Sequence, residues 1–148
     1  SEKIYLVAAD GGYGFRCNQS EKIYLVAADG GYGFRCKGED FMSRGKAGKA
    51  FLTLGENESP AIFMQAPSEG EIACVTKDGR ALVFNIEEIR LLVKGRGLKL
   101  IDADPGKTAL DDIIPVENGA AGKLKGERLE ICRGNRGGKG KLVRASRK

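Results

Sequence analysis

The sequence predicts an all-β fold, a propeller-like array of about three four-stranded blades. Three observations carry this. Gly occurs 22 times against 4 Pro in 148 residues, which supplies many turns and few long helices. Two β-rich hairpin patterns recur, KIYLVAADGGYGFRCKGEDF over 22–41 and EIACVTKDGRALVFNIEEI over 71–89. A Gly-Lys/Arg loop follows each hairpin and leads into another apolar run. These loops, with a third near the end, recur every ~40–50 residues, the period of propeller-like arrays.

The chain opens on a literal repeat. Ser1–Cys17 and Ser20–Cys36 are the same 17 residues, SEKIYLVAADGGYGFRC, joined by Asn18-Gln19. Diverged repeats do not stay identical over such a length, so 1–19 reads as a recent or engineered duplicate of the hairpin that follows. In the hairpins of 22–41 and 71–89, Asp29-Gly30 and Asp78-Gly79 sit where a tight turn needs residues that tolerate φ > 0. A weaker third unit has Glu117-Asn118-Gly119 as its turn, and KGERL (125–129) echoes KGEDF (37–41).

The three loop segments are SRGKAGKAFLTL (43–54), LVKGRGLKLIDA (92–103) and RGNRGGKGKLVRA (133–145). Aligned on Gly48, Gly97 and Gly140, they lie 49 and 43 residues apart. All four prolines fall in linkers, Pro60 and Pro67 in one, Pro105 and Pro115 in the other. Short apolar pieces there, Ile62–Met64 and Ile113–Val116, are candidate fourth strands. Helix is minor: Ile86–Val93 has room for one or two turns, and no 3.6-residue period is sustained. The repeat-bearing part is thus 20–148, in units of about 20–70, 71–109 and 110–148. The chain begins with Ser, which points to a processed or excised piece.

Composition removes several chemistries. His is absent, so there is no Ser-His or Cys-His pair, no His general base and no mixed Cys/His zinc site. No apolar run approaches ~20 residues, so no membrane helix is expected. Nor is there a basic-then-apolar leader segment. Cys17, Cys36, Cys74 and Cys132 form no C-x-x-C pair, and free thiols in a reducing cytoplasm are expected. DADPGKT (102–108) ends like a phosphate-binding loop, but the earlier Gly it requires is Ile101. Glu87-Glu88 and Asp111-Asp112 read as solvated charge, and Tyr5, Tyr13, Tyr24 and Tyr32 as strand packing. No catalytic residue, metal site or cofactor is expected.

The charge points to a partner. The net charge is +5, yet residues 119–148 alone hold ten bases and two acids. A basic block beside a mildly acidic body suits a polyanion. In the loops, Gly lets the backbone turn sharply with N–H groups open to an anion, while Lys and Arg supply phosphate contacts. The candidate DNA-binding residues are Arg44, Lys46 and Lys49, then Lys94, Arg96 and Lys99, then Arg133, Arg136, Lys139 and Lys141. Their loop glycines are Gly45, Gly48, Gly95, Gly97, Gly137, Gly138 and Gly140. Two other readings stay open: RNA binding by the Arg/Gly-rich end on a β scaffold, and a protein-interaction propeller with incidental basicity.

The segments AADGGYGFRCKGEDFMSRGKAGKAFLTL (27–54) and TKDGRALVFNIEEIRLLVKGRGLKLI (76–101) closely resemble successive repeats of the gyrase-A-like C-terminal domains, in particular those in the A-subunit of bacterial topoisomerase IV. RGNRGGKGKLVRA (133–145) fits a later repeat. The resemblance covers essentially 20–145. It implies a β-pinwheel whose blades exchange strands and whose basic edge binds and bends duplex DNA. It implies a non-catalytic module of a larger enzyme in the bacterial cytoplasm and nucleoid. The partners it implies there are the B-subunit of that enzyme, plus the rest of the A-subunit. The family's Q-R-R-G-G-K-G box corresponds to Gly134–Gly140, of which the last five positions match. The exact copy at 1–36 departs from the family pattern, and three units are fewer than the family's five or six blades. Self-association to complete a ring, or a spare hairpin filling a vacant position, is therefore expected.

Overall fold

The computed structural model describes residues 3–5, 22–39 and 52–144. Its strands are β1 (Lys3–Tyr5), β2 (Ile23–Ala28), β3 (Tyr32–Lys37), β4 (Leu52–Leu54), β5 (Pro60–Gln65), β6 (Glu71–Thr76), β7 (Arg80–Asn85), β8 (Leu98–Lys99), β9 (Leu110–Pro115), β10 (Ala120–Ala121), β11 (Leu124–Lys125) and β12 (Lys141–Leu142). A 3-10 turn covers Ile86–Glu88 and a one-turn helix α1 covers Glu127–Glu130. The all-β expectation holds.

Two antiparallel sheets form complete blades, ordered β5-β2-β3-β8 and β9-β6-β7-β12. The central hairpins come from the apolar repeats. The apolar linker pieces become the strands β5 and β9, which pair with β2 and β6. The last strand of each blade is borrowed. β8 lies beyond the second hairpin in sequence, yet pairs with β3 of the first at Tyr32↔Lys99 and Gly33↔Leu98. β12 does the same for β7 at Arg80↔Leu142 and Ala81↔Lys141. Each blade is therefore closed by chain from the following unit.

Both faces of each blade are covered, which explains why β2 and β6 read as nearly unbroken apolar runs. One set of alternating residues, Leu25 and Ala27 on β2 with Ile72 and Cys74 on β6, meets between the blades together with Phe84, Leu100 and Ile113. The opposite set of blade 1, Tyr24, Val26 and Phe34, packs on Leu52 and Leu54 of β4. Tyr24 stacks on Phe63 with centroids 5.5 Å apart, as strand packing requires. The opposite set of blade 2, Ala73, Val75 and Val83, packs on Leu124, Leu129 and Cys132 of the third unit. Cys36, Cys74 and Cys132 are buried, and burial pushes the Cys74 thiol upward.

Three details differ from the sequence expectation. First, the left-handed turn residues are Gly31 (φ 97°) and Gly79 (φ 90°), whose N–H groups return to Ala28 and Thr76. The hairpin loops thus have three residues with Gly last. Asp29-Gly30 and Asp78-Gly79 are offset by one place, and Lys77 stands where Asp29 does. Second, the third unit is abridged. Its Asn118-Gly119 turn forms as expected, with φ of 54° and 78°, but β10 and β11 are two residues each and join neither blade sheet. Among the described residues two blades are complete. AAGKLKGERL lacks the β-branched run that builds the other hairpins. Third, β1 of the first copy pairs with β4, at Lys3↔Leu54 through Tyr5↔Leu52.

Gly140 (φ 77°) tests the borrowed strand. A Cβ there would lie 2.3 Å from the Ala81 carbonyl oxygen, whereas one on Gly119 (φ 78°) meets open space. Both Ala substitutions carry left-handed strain of about 1–2 kcal/mol. Gly140→Ala should cost at least about 1 kcal/mol more than Gly119→Ala in urea unfolding, because backbone must also shift.

Candidate nucleic-acid interface

After each central hairpin the chain first runs parallel to the blade. Leu91 bridges Arg35 and Arg133 bridges Val83, both in parallel sense. It then reverses and returns antiparallel as β8 or β12. The reversals are the second and third Gly-Lys/Arg loops. They need glycine for a steric reason: a Cβ on Gly97 (φ 85°) would sit 2.0 Å from the Gly33 carbonyl oxygen, and Gly140 meets Ala81 in the same way. Gly95 (φ 130°) and Gly137 (φ 89°) supply further left-handed turns. Two N–H groups of the third loop already have partners, Gly137 donating to Leu100 O (2.8 Å) and Gly138 to Asn135 O (3.1 Å).

Successive loops touch. Thr53, in the strand issuing from the first loop, donates to Gly95 O of the second at 2.9 Å. The strand issuing from the second loop meets the third: Arg136 Nη1 donates to Lys99 O (2.8 Å), and Asp102 N donates to Gly138 O (2.8 Å). Arg80, at the start of β7, ties this joint together. Its Nη1 donates to Asp102 O (2.9 Å) and Lys139 O (2.7 Å), and its Nε holds Asp78 at 3.0 Å.

The cations separate into two groups. Arg133 makes a two-pronged pair with Glu71, Nε and Nη2 each 2.8 Å from a carboxylate oxygen, and also pairs with Glu130. Arg96 pairs with the buried Glu58 carboxylate at 3.1 Å and lies 3.9 Å over the Tyr32 ring. Lys99 faces Asp102 at 3.5 Å, and Arg136 is half-buried. Lys94, Lys139 and Lys141 are exposed, and no ion pair holds them among the described residues. Arg44, Lys46 and Lys49, with Gly45 and Gly48, lie outside the described residues. No group of His, Cys, Asp or Glu among the described residues has the arrangement of a metal site, and no helix there is long and apolar enough to cross a membrane.

A family model described as "DNA gyrase C-terminal domain, beta-propeller" matches residues 23–59 and 70–115, spanning both hairpins, the linker strand β9 and the second loop. The chain belongs to this family. Among curated relatives, the A-subunit of DNA topoisomerase 4 from Pseudomonas aeruginosa is 35% identical over 156 aligned positions, covering 94% of this chain. That of Neisseria gonorrhoeae is 34% identical and covers 96%. The chain spans only 18% of the length of either relative. Among solved structures, the Escherichia coli ParC C-terminal domain superposes with a TM-score of 0.71 at 31% identity, over 84% of this chain and 57% of that one. A DNA gyrase A C-terminal domain gives 0.65 at 20% identity, over 83% and 44%, which is a likeness of fold.

Within this gyrase-type fold, the residues that sequence reasoning missed are those that anchor the loops. Arg80, Glu71 and Glu58 act on partners 22 to 62 positions away, and no local pattern announces them. Arg35, whose Nε donates to Ile89 O at 2.8 Å, is of the same kind. The one available signal was Arg80 following the Asp-Gly turn.

Two outcomes follow from these anchors. The Arg133 hydrogen bonds hold the Glu71 carboxyl below its ordinary 4.5. A depressed carboxylate contributes stability that is present above 4.5 and is lost as pH falls through the lowered folded value. Unfolding free energy should therefore drop on acidification below about pH 4.5, and Glu71→Gln should make that limb shallower in denaturation series across pH. Removing the Arg80 guanidinium (Arg80→Met) should accelerate amide exchange at Asp102 and Gly137 by about tenfold or more, while amides of β2 stay protected.

Proposed function

We propose that this chain is a non-catalytic DNA-binding and DNA-bending module of a bacterial type II topoisomerase, acting through successive basic loops along one edge of the blades. The supporting observation is the contact between loop segments: the second loop bonds Thr53 of β4, and the third bonds Lys99 and Asp102, which follow the second. Cations on such loops follow a common track, which suits the regularly charged backbone of duplex DNA. Membership of the gyrase C-terminal family and the similarity to the topoisomerase 4 proteins support the same reading. The partners are then the B-subunit of the enzyme, plus the rest of the A-subunit, in the bacterial cytoplasm. The module assists strand passage, relaxation or decatenation carried out elsewhere in the enzyme.

The roles divide by environment. Lys94, Lys139 and Lys141 contact phosphates, and the cations of the first loop, Arg44, Lys46 and Lys49, extend the track. Arg96, Arg133 and Arg136 shape the loops, because their guanidiniums already serve internal partners. RNA binding by a free Arg/Gly-rich tail is less well supported, since residues 133–142 are bonded into blade 2 at Val83, Ala81 and Arg80.

A titration of duplex DNA at several salt concentrations tests this. Each of Lys94→Ala, Lys139→Ala and Lys141→Ala should weaken binding about equally across sequences and reduce the log–log salt slope by about one. Arg133→Ala should leave the slope nearly unchanged. A slope unaffected by the triple lysine variant would refute the assignment.

A further inference from the structure

The hairpin of blade 1 is written twice in this chain, and the structure shows what its slot demands. Leu25, Val26, Phe34 and Cys36 fill the two faces of the blade and are almost fully buried. Gly31 is left-handed, and Gly33 lies against the Val26 carbonyl, where a Cβ would come within 2.4 Å. Every one of these residues has an identical counterpart nineteen positions earlier: Leu6, Val7, Phe15 and Cys17 for the side chains, Gly12 and Gly14 for the turn and the close approach. Lys3–Tyr5 of the first copy pairs with β4, and β4 packs on the face made by Val26 and Phe34.

We infer that the two copies compete for one slot, so that the chain interconverts between a form with 20–36 in blade 1 and a form with 1–17 there. The buried contacts are the same in both forms. What differs lies at the margin. Lys37, an exposed residue paired with Ile23, is replaced by Asn18 in the exchanged form, and Gln19 takes the place of Gly38, whose N donates to Lys22 O. The connection from the hairpin to β4 grows from 15 residues to 34. Little more than doubling a flexible loop lowers a population by on the order of threefold. The released copy carries the same Lys-Ile-Tyr that pairs with β4. The exchanged form is therefore a minority of measurable size, reached by local opening of blade 1.

Thiol labelling in the presence of reductant reads the exchange, because the tryptic peptides beginning at Cys17 and Cys36 differ in sequence. Cys36 is buried in the form described. Leu25→Asp puts a carboxylate into the core from the second copy alone and should drive the chain to the exchanged form. It should remain folded, with Cys36 labelled at least about tenfold faster and Cys17 protected, whereas Leu6→Asp with Leu25→Asp loses the blade. A milder pair works in a chain that stays folded throughout. Val26→Ala should shift the Cys36-to-Cys17 labelling ratio by at least about tenfold, the order expected for a buried truncation, and Val7→Ala with Val26→Ala should restore the parental ratio. Leu25→Asp as destabilised as the double variant, or a labelling ratio unmoved by Val26→Ala, would overturn the inference.

Discussion

The structure depends on one pairing: a two-residue strand from each unit completing the sheet of the unit before it. Without β8 on β3 and β12 on β7, each blade would end in an open edge beside its hairpin. The pairing also fixes where the loops lie. A chain that has formed the next hairpin and must return to the previous blade has to reverse sharply, and the reversal passes directly over a strand carbonyl. Glycine at 97 and 140 is a consequence of that geometry. The cations beside those glycines are carried to the blade edge by the same constraint.

Electrostatics within the loops then assigns different work to similar residues. Arg96 and Arg133 are drawn inward by Glu58 and Glu71, and Arg96 is further held by the Tyr32 ring. The lysines at 94, 139 and 141 stay in solvent. Arginine's planar fork suits fixed two-point contacts, while lysine remains a mobile point charge. A loop built with both holds its shape and still presents charge. Arg80 adds a crosslink between the second and third loop segments, so that they form a jointed surface and not independent tails.

Much of this was legible in the residues. The β2–β3 and β6–β7 hairpins follow from apolar runs around Gly-rich turns, and the linker strands β5 and β9 from short apolar pieces between prolines. The loop recurrence marked the repeat, and the resemblance of 27–54 and 76–101 to gyrase-A-like repeats agrees with the family match. The turn alignment was one residue out because Asp-Gly is a local signal, whereas the left-handed position is set by the strand register on both sides. The third unit looked like a blade because its turn chemistry is sound. A turn, however, cannot supply the strand residues that AAGKLKGERL lacks.

The sequence by itself determined the β class, the repeat, the place of the reversals and the concentration of positive charge, because each rests on residues close together along the chain. Only the tertiary structure decided which cations face solvent and which are consumed by internal carboxylates and carbonyls. The anchoring partners of Arg80, Arg96 and Arg133 stand 22 to 62 residues away and are brought together by the fold. Periodicity can announce a strand, but it cannot say which unit that strand will join.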